Sequence, residues 1–598
     1  MNKSSSNIED GRSLETINDI NGISSVQTKK EKADETDVSR NFMATDKMNV
    51  IESHQTDSSA TTSDIEKGTT GKFRESDAGD GTHRGDQIIT SKKKLAMCSF
   101  ALCLCMFLIS LDQMITTTVL TTVSDHFGEF DKLTWITAAY VMAMGCFAQF
   151  WGRVSINFGR KWVLVVGMAI FEIGSLICAL ATSMNMLIAG RAVQGVGSSC
   201  IESLVMIIAS EICSISDRPL LLATMGITFV GSSVLGPLLG GVFSIYLSWR
   251  WCFYFNLCCA VIILPLFIFT YHPKPPTTTF HERLRTIDFL DNFLLIASFF
   301  LLLLAVSLGQ TEPSWGSTSV ICCFAVGVPL LVAFCIWNFR YSSHPTIPQN
   351  VFCNRQILIC LGIFIAGFSC LMVAMQFLSV YLQNVIGHNA FHTGLSLLPL
   401  ALSSCFAAMF SAGLTHRFSH IKIFALISGI LLPISLALFT LLQPVEHLGT
   451  SIGLQIFLGI AAGVNFQAPM LTALLFAPKD PGSTILTTAM MNFARSIGIA
   501  FCSNIAGDIY TASLKHDLRK IASLLDDSSF QITSILSNAE VLKTLTQHDQ
   551  NLIKTKMTAA IHNIFWMAFG ISVFSMFLTF FMSNRKLPKT DEIEESQR

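Results

Sequence analysis

The chain is 598 residues long, 51% hydrophobic and only 14% charged, with a net charge of −1 and a mean hydropathy of +0.52. Soluble domains carry about 25% charged residues, so this balance excludes an ordinary soluble fold and points to a chain made mostly of membrane spans. The near-zero charge gives no footing for a nucleic-acid partner, and the cysteines, confined to 98–502 and mostly inside apolar runs, form no disulfide framework.

Residues 1–94 are rich in Ser, Thr, Asp, Glu and Lys and have no apolar periodicity. Such a segment buries too little surface to fold and reads as a disordered tail. No apolar h-region follows Met1, so no signal peptide is expected. Lys92-Lys93-Lys94 stand directly before the first apolar run, where the positive-inside rule puts them, and the tail, in the cytoplasm. Runs of roughly 20 apolar residues then give about fourteen spans. They are 95–120, 133–152, 162–182, 185–212, 220–246, 250–271, 288–308, 318–339, 356–382, 391–414, 420–442, 447–476, 483–510 and 558–583. The inner connections hold Arg153, Arg160, Lys161, Arg218, Arg283, Arg285, Arg340, Arg355, Arg417 and Lys422, whereas the short outer ones hold little beyond Lys132. Both termini are therefore expected to be cytoplasmic. A long outer loop is expected at 511–557 and a cytoplasmic tail at 584–598.

The connection after the second span runs from Gly152 and Arg153 to Gly159, Arg160 and Lys161, which suits a tight turn at the cytoplasmic face. A plain positive-inside anchor is the alternative. A degenerate echo, Gly413 to Lys422, follows the tenth span, and many transporters are built from repeated halves. The fifth span holds Gly236-Pro237-Leu238-Leu239-Gly240-Gly241, with Ala223, Gly226, Gly231 and Ser232 upstream. In water each helical Gly costs roughly 1 kcal/mol against Ala. In a bilayer the backbone must bond within the helix, and small residues let neighbouring helices approach closely. Pro237 supplies a bend. A lipid-facing span that happens to be glycine-rich is the alternative.

Charges in a bilayer cost about 2.5–3.5 kcal/mol on insertion scales and mark functional sites. Here they are Asp112, Glu172, Arg191, Glu202 and Arg495, with Glu211 and Asp508 nearer span ends. At ~1.5 Å per residue, Asp112 lies roughly 25 Å from the inner face and Arg191 about 9 Å from the outer face, so both occupy the outer half and can pair. Glu172 falls near the midplane and Glu202 in the inner half. Acids spread over depth suit a proton path, because an apolar setting favours the protonated carboxyl while a nearby Arg opposes it. The alternatives are a fixed structural Asp112–Arg191 pair and a Glu172 that hydrogen-bonds a neighbouring helix. Arg495 can meet a substrate anion or a structural acid. No GxxxxGK[ST] motif is present, which disfavours ATP-driven transport. No metal-ligand cluster or nucleophile triad stands out, so neither an enzyme nor a metal or other cofactor is expected.

Together these motifs resemble the major facilitator superfamily, specifically its fourteen-span drug:proton antiporter branch as found in fungi. The resemblance covers about 95–583. Leu111-Asp112 is similar to the acidic first-helix motif, and Gly152 to Lys161 to the signature loop between helices two and three. Gly190-Arg191-Ala192-Val193-Gln194-Gly195-Val196-Gly197 is similar to the fourth-helix motif. Gly236-Pro237 with Gly240-Gly241 resembles the antiporter motif of the fifth helix, and Ser248 to Asn256 the start of the sixth. The chain departs from the pattern at Ile156, where the signature loop carries an Asp, and at Ala223 and Ser232, where the antiporter motif carries glycines.

The resemblance implies an all-α membrane protein with the major facilitator fold. Six-helix bundles at 95–271 and 356–583 would flank a linker, 272–355, holding two inserted transmembrane helices. The function implied is proton-coupled antiport that exports small cationic or amphipathic toxic compounds, driven by the proton gradient, in a plasma membrane and as a monomer. The partners would be protons, the small-molecule substrate and the lipid bilayer. A vacuolar transporter of basic amino acids is the alternative. A non-transporting sensor with the long tail as its signalling arm is a third reading, against which the intact fourth- and fifth-helix motifs argue.

Overall fold

The computed structural model describes residues 91–586, apart from 128, 130–131, 214–216, 274–278, 312–314, 446, 479, 481, 522–545 and a few side chains within helices. The tails expected at 1–94 and 584–598 lie outside the described residues except at their membrane-proximal ends. Every regular element among the described residues is helical, as lipid requires of a chain that must satisfy its backbone groups internally.

In order, the long helices are α1 (Lys92–Phe127), α2 (Leu133–Phe158), α3 (Arg160–Ala179), α4 (Met184–Ile212), α5 (Arg218–Tyr246) and α6 (Trp251–Thr270). Then come α7 (Phe289–Thr311), α8 (Thr318–Ile336), α9 (Arg355–Val380), α10 (Leu398–Phe418), α11 (Lys422–Leu438), α12 (Leu448–Asn465), α13 (Ser483–Ile521) and α14 (Gln547–Phe580). Each predicted span has its helix, and among the described residues twelve of the segments are long and apolar enough to cross a membrane. The other two, α2 and α5, are 26 and 29 residues long. Side chains of Ser183, Ser317, Asn354 and Thr546 accept the first free N–H groups of α4, α8, α9 and α14, which fixes where those helices start. Past a break at Phe466 and Gln467, α12 continues as Ala468–Leu475.

Helices α1–α6 pack chiefly on one another, through α1 with α5 and α4 with both α2 and α3. Helices α9–α14 do the same, through α10 with α12 and α9 with α13 and α14. The two groups meet where α2 packs on α13 and α5 on α10; of the inserted pair, α7 rests against α2 and α13 at that seam and α8 packs on α7.

Two expectations are corrected. The signature connection is not a loop, since α2 stays helical through Phe158 and α3 starts at Arg160. Gly159 alone makes the turn, at φ +82°, a conformation that a Cβ would strain. Its echo turns differently, with Ser419 in the left-handed region at φ +60° and three residues between α10 and α11. The outer loop expected at 511–557 is helical at both ends, where α13 reaches Ile521 and α14 begins at Gln547. Leu514, Leu518 and Ile521 recur at helical spacing and join Ile553 and Met557 in one buried apolar cluster, so the ends zip together rather than loop.

Candidate functional site

Asp112 and Arg191 are both fully buried and do form the pair that their depths permit, Arg191 Nη1 donating to Asp112 Oδ2 at 2.5 Å. Position i+3 on α4 brings Gln194 to the same face, where its Nε2 donates to Asp112 Oδ1 at 2.9 Å and to Ser175 Oγ at 2.7 Å. Asn256 of α6 donates to the same Oδ1 at 2.6 Å. Beneath the pair, the Tyr140 ring lies 4.1 Å from the Arg191 guanidinium carbon, and its hydroxyl meets Ser198 Oγ at 2.7 Å. Side chains of five helices thus join in one network around this carboxylate, which α4 and α6 contact directly, and the fourth-helix glycines allow it. A Cβ on Gly195 would run into the backbone of Tyr140, and one on Gly197 into that of Phe171. Tyr140 carried no motif in the sequence, and its role comes from this close approach.

The remaining intramembrane charges divide differently. Glu202 of α4 and Arg495 of α13 form an ion pair from Arg495 Nη2 to Glu202 Oε1, with side chains 2% and 5% exposed. The acid of one helix group therefore meets the base of the other. Arg495 also lies over the Phe368 ring, 5.0 Å from its centroid. Both carboxylate oxygens of Glu172 are buried without a hydrogen-bond partner among the described residues, so the alternative reading, a bond to a neighbouring helix, is not met there. Glu211, read as interfacial, accepts from buried Arg160 at 2.9 Å and ties the start of α3 to the end of α4.

Elsewhere in the signature segment, Lys161 Nζ donates to the Ile268 carbonyl at the end of α6 at 2.8 Å. Arg153 is acted on by Asp291 and Asp288 at the start of α7. Ile156 packs with Ile207 of α4 and with Ile485 and Leu486 of α13. One turn earlier, a Cβ on Gly152 would collide with Ala489 of α13. This end of α2 is thus closed against α13 by apolar contact.

Asp288 and Asp291 were not singled out in the sequence, where they stand at the first turn of an apolar run. Asp288 accepts from Trp337 Nε1 at 2.9 Å and Ser342 Oγ at 2.7 Å. Its other oxygen, Oδ1, accepts the Asp291 N–H at 3.0 Å. Fully buried Asp291 accepts the Thr346 N–H at 2.7 Å, while Gln149 Nε2 of α2 donates to the Thr346 carbonyl at 2.9 Å.

The glycines of α5 are not equivalent. A Cβ on Gly236 would stand 2.5 Å from Met114 Cβ and 3.0 Å from the Ile115 nitrogen of α1. Gly240 is also buried, whereas a Cβ on Gly241 or Gly231 would meet nothing within 4 Å. The side chain of Pro237 lies outside the described residues. Gly226 faces Phe466, and both line a pocket between α5 and helices α9, α10 and α12 with Leu371, Ser404, Cys405 and Ala462.

The Major Facilitator Superfamily domain matches residues 102–503. The protein SGE1 of Saccharomyces cerevisiae is 31% identical, over 83% of this chain and 98% of its own. The efflux pump bfoC of Aspergillus brasiliensis is also 31% identical, over 73% and 78%. The vacuolar basic amino acid transporter 5 of S. cerevisiae is 27% identical, over 84% and 93%. Among solved structures, the human organic anion transporter MFSD10 (TETRAN) superposes with a TM-score of 0.51 at 15% identity, over 80% of this chain and 99% of that one.

Proposed function

Starting from a chain that belongs to the Major Facilitator Superfamily, in the branch of the fungal efflux pumps and their vacuolar relatives, we propose that it is a proton-coupled antiporter exporting small cationic or amphipathic compounds. The observation that carries this reading is the buried Asp112–Arg191 pair, with the carboxyl of Glu172 on α3, which has no hydrogen-bond partner among the described residues. An acid sequestered from water and held by one arginine has two states that differ in packing. Ionised, Asp112 holds Arg191 and accepts from Gln194 and Asn256. Protonated, it loses its charge and its claim on Arg191, which then has to find other acceptors on α2 and α4. Breaking such a pair is worth about 3–5 kcal/mol, enough to bias the packing of α1 against α4. The proton leaves when the site opens to the opposite face, and the driving energy is the proton gradient. On this reading the end of α2 that carries Gly152 to Lys161 faces the cytoplasm, the protein works as a monomer, and export is across the plasma membrane. Import of basic amino acids into a vacuole is the second reading, supported by the 27% identical relative of that name.

The test is gradient-driven transport in vesicles, normalised to protein, for Asp112→Asn, Arg191→Gln and the double variant. Asp112→Asn is expected to lose driven transport while retaining substrate exchange. If the pair is only structural, the single variants lose protein and the double variant regains near-normal driven transport. That result would remove Asp112 as the proton carrier and pass the role to Glu172, for which Glu172→Gln is the matching measurement.

A further inference from the structure

We propose that Glu202 is a cation-binding carboxylate masked by Arg495, and that a cationic amphiphile enters by displacing the arginine. The inference rests on the export reading above and names the site at which the substrate's charge is read.

Of the three buried acids paired with arginine, Asp112 and Glu202 differ in what they leave open. Asp112 has both oxygens occupied, Oδ2 by Arg191 and Oδ1 by Gln194 and Asn256. Glu202 takes Arg495 on Oε1, while Oε2 is buried with no hydrogen-bond partner among the described residues. A buried carboxylate oxygen without a donor is costly, and it marks the position of a missing positive group.

The surroundings fit a flat or alkylated cation. Arg495 already rests on the Phe368 ring, and Phe368 packs at 4.8 Å against Phe364 and 5.0 Å against Phe466. Phe466 in turn lines the pocket at Gly226. An aromatic face that holds a guanidinium also holds another cation once the guanidinium moves off. The Phe364–Phe368–Phe466 cluster and the carboxylate would then receive the apolar and charged ends of one molecule. Because Glu202 and Arg495 belong to different helix groups, the displacement that admits the substrate also releases a tie between them.

The experiment is equilibrium binding of tetraphenylphosphonium to the full-length protein in lipid nanodiscs without a gradient. Wild type is compared with Arg495→Ala, Glu202→Gln and Glu202→Gln/Arg495→Gln. Unmasking in Arg495→Ala is expected to tighten binding by at least about tenfold, and the cation should raise that variant's melting temperature more than the wild type's. Glu202→Gln and the double variant, which carries no lone buried charge, are expected to bind at least about tenfold more weakly than Arg495→Ala. A double variant that binds as tightly as Arg495→Ala overturns the proposal and leaves the export reading intact. Absence of tetraphenylphosphonium binding in every protein, Arg495→Ala included, overturns both the masked site and the cationic substrate class. Proton coupling plays no part in this measurement, so its failure would leave the result unchanged.

Discussion

Ile156 alters what the turn between α2 and α3 can hold. An acid at this position can meet the free N–H groups at the start of α13, whereas isoleucine meets Gly482, Ile485 and Leu486 through van der Waals contact alone. Closure at this end therefore depends on fit rather than charge and should be insensitive to salt. Ile156→Ala is expected to weaken it by on the order of 2 kcal/mol. The measurement is maleimide labelling of Ile485→Cys in vesicles that present this face, with and without Ile156→Ala. Equal labelling rates would show that the cluster does not hold the face shut. At this scale the sequence revealed the Asp112–Arg191 pair, because both depths follow from helix rise. It concealed the Glu202–Arg495 pair, whose members are 293 residues apart in different helix groups and share no local pattern.

Helix by helix, the positions of the glycines matter more than their number. Gly236 sits where α5 crosses α1, while Gly241 of the same motif faces open space. Gly236→Leu is therefore expected to cut transport at least about tenfold with protein still in the membrane, since a branched side chain forces the two helices apart. Gly241→Leu should transport normally, and equal losses in both would put the close contact elsewhere. The positions and order of the long helices were legible from apolar runs alone. The helical character of the signature segment was not, because its glycines and cations look like loop chemistry when read without the helix that carries them. Likewise, Leu514, Leu518 and Ile521 form a helical stripe hidden among the charges of Lys515, Asp517 and Arg519.

Across the whole molecule, the resemblance between the halves does not extend to their packing. Gly152 and its echo Gly413 open corresponding segments, yet a Cβ on Gly152 strikes Ala489 whereas one on Gly413 meets nothing. Gly152→Leu is expected to stop transport by keeping α2 away from α13, and Gly413→Leu to be tolerated, with substrate efflux per molecule of membrane protein as the readout. Loss in both would mean the halves close symmetrically. The inserted helices add a second asymmetry through Asp291, Thr346 and Gln149. Asp291→Ala strands the buried Thr346 N–H and is expected to cost about 1–3 kcal/mol, seen as a lower melting temperature of the solubilised protein. An unchanged melting curve would count against the tie.

That tie also relocates the joint of the molecule. Thr346 is bound back to α2 and α7, and Ile347 is held by both its N–H and its carbonyl to Asn338. Just beyond, Asn350 reaches Asp480 and Asn354 reaches the Phe476 carbonyl, both on the other side of the seam. The end of the connection between the halves, from Thr346 to Asn354, is therefore no slack tether: before Pro348 it is held to α2, α7 and Asn338, and after Pro348 to Asp480 and Phe476.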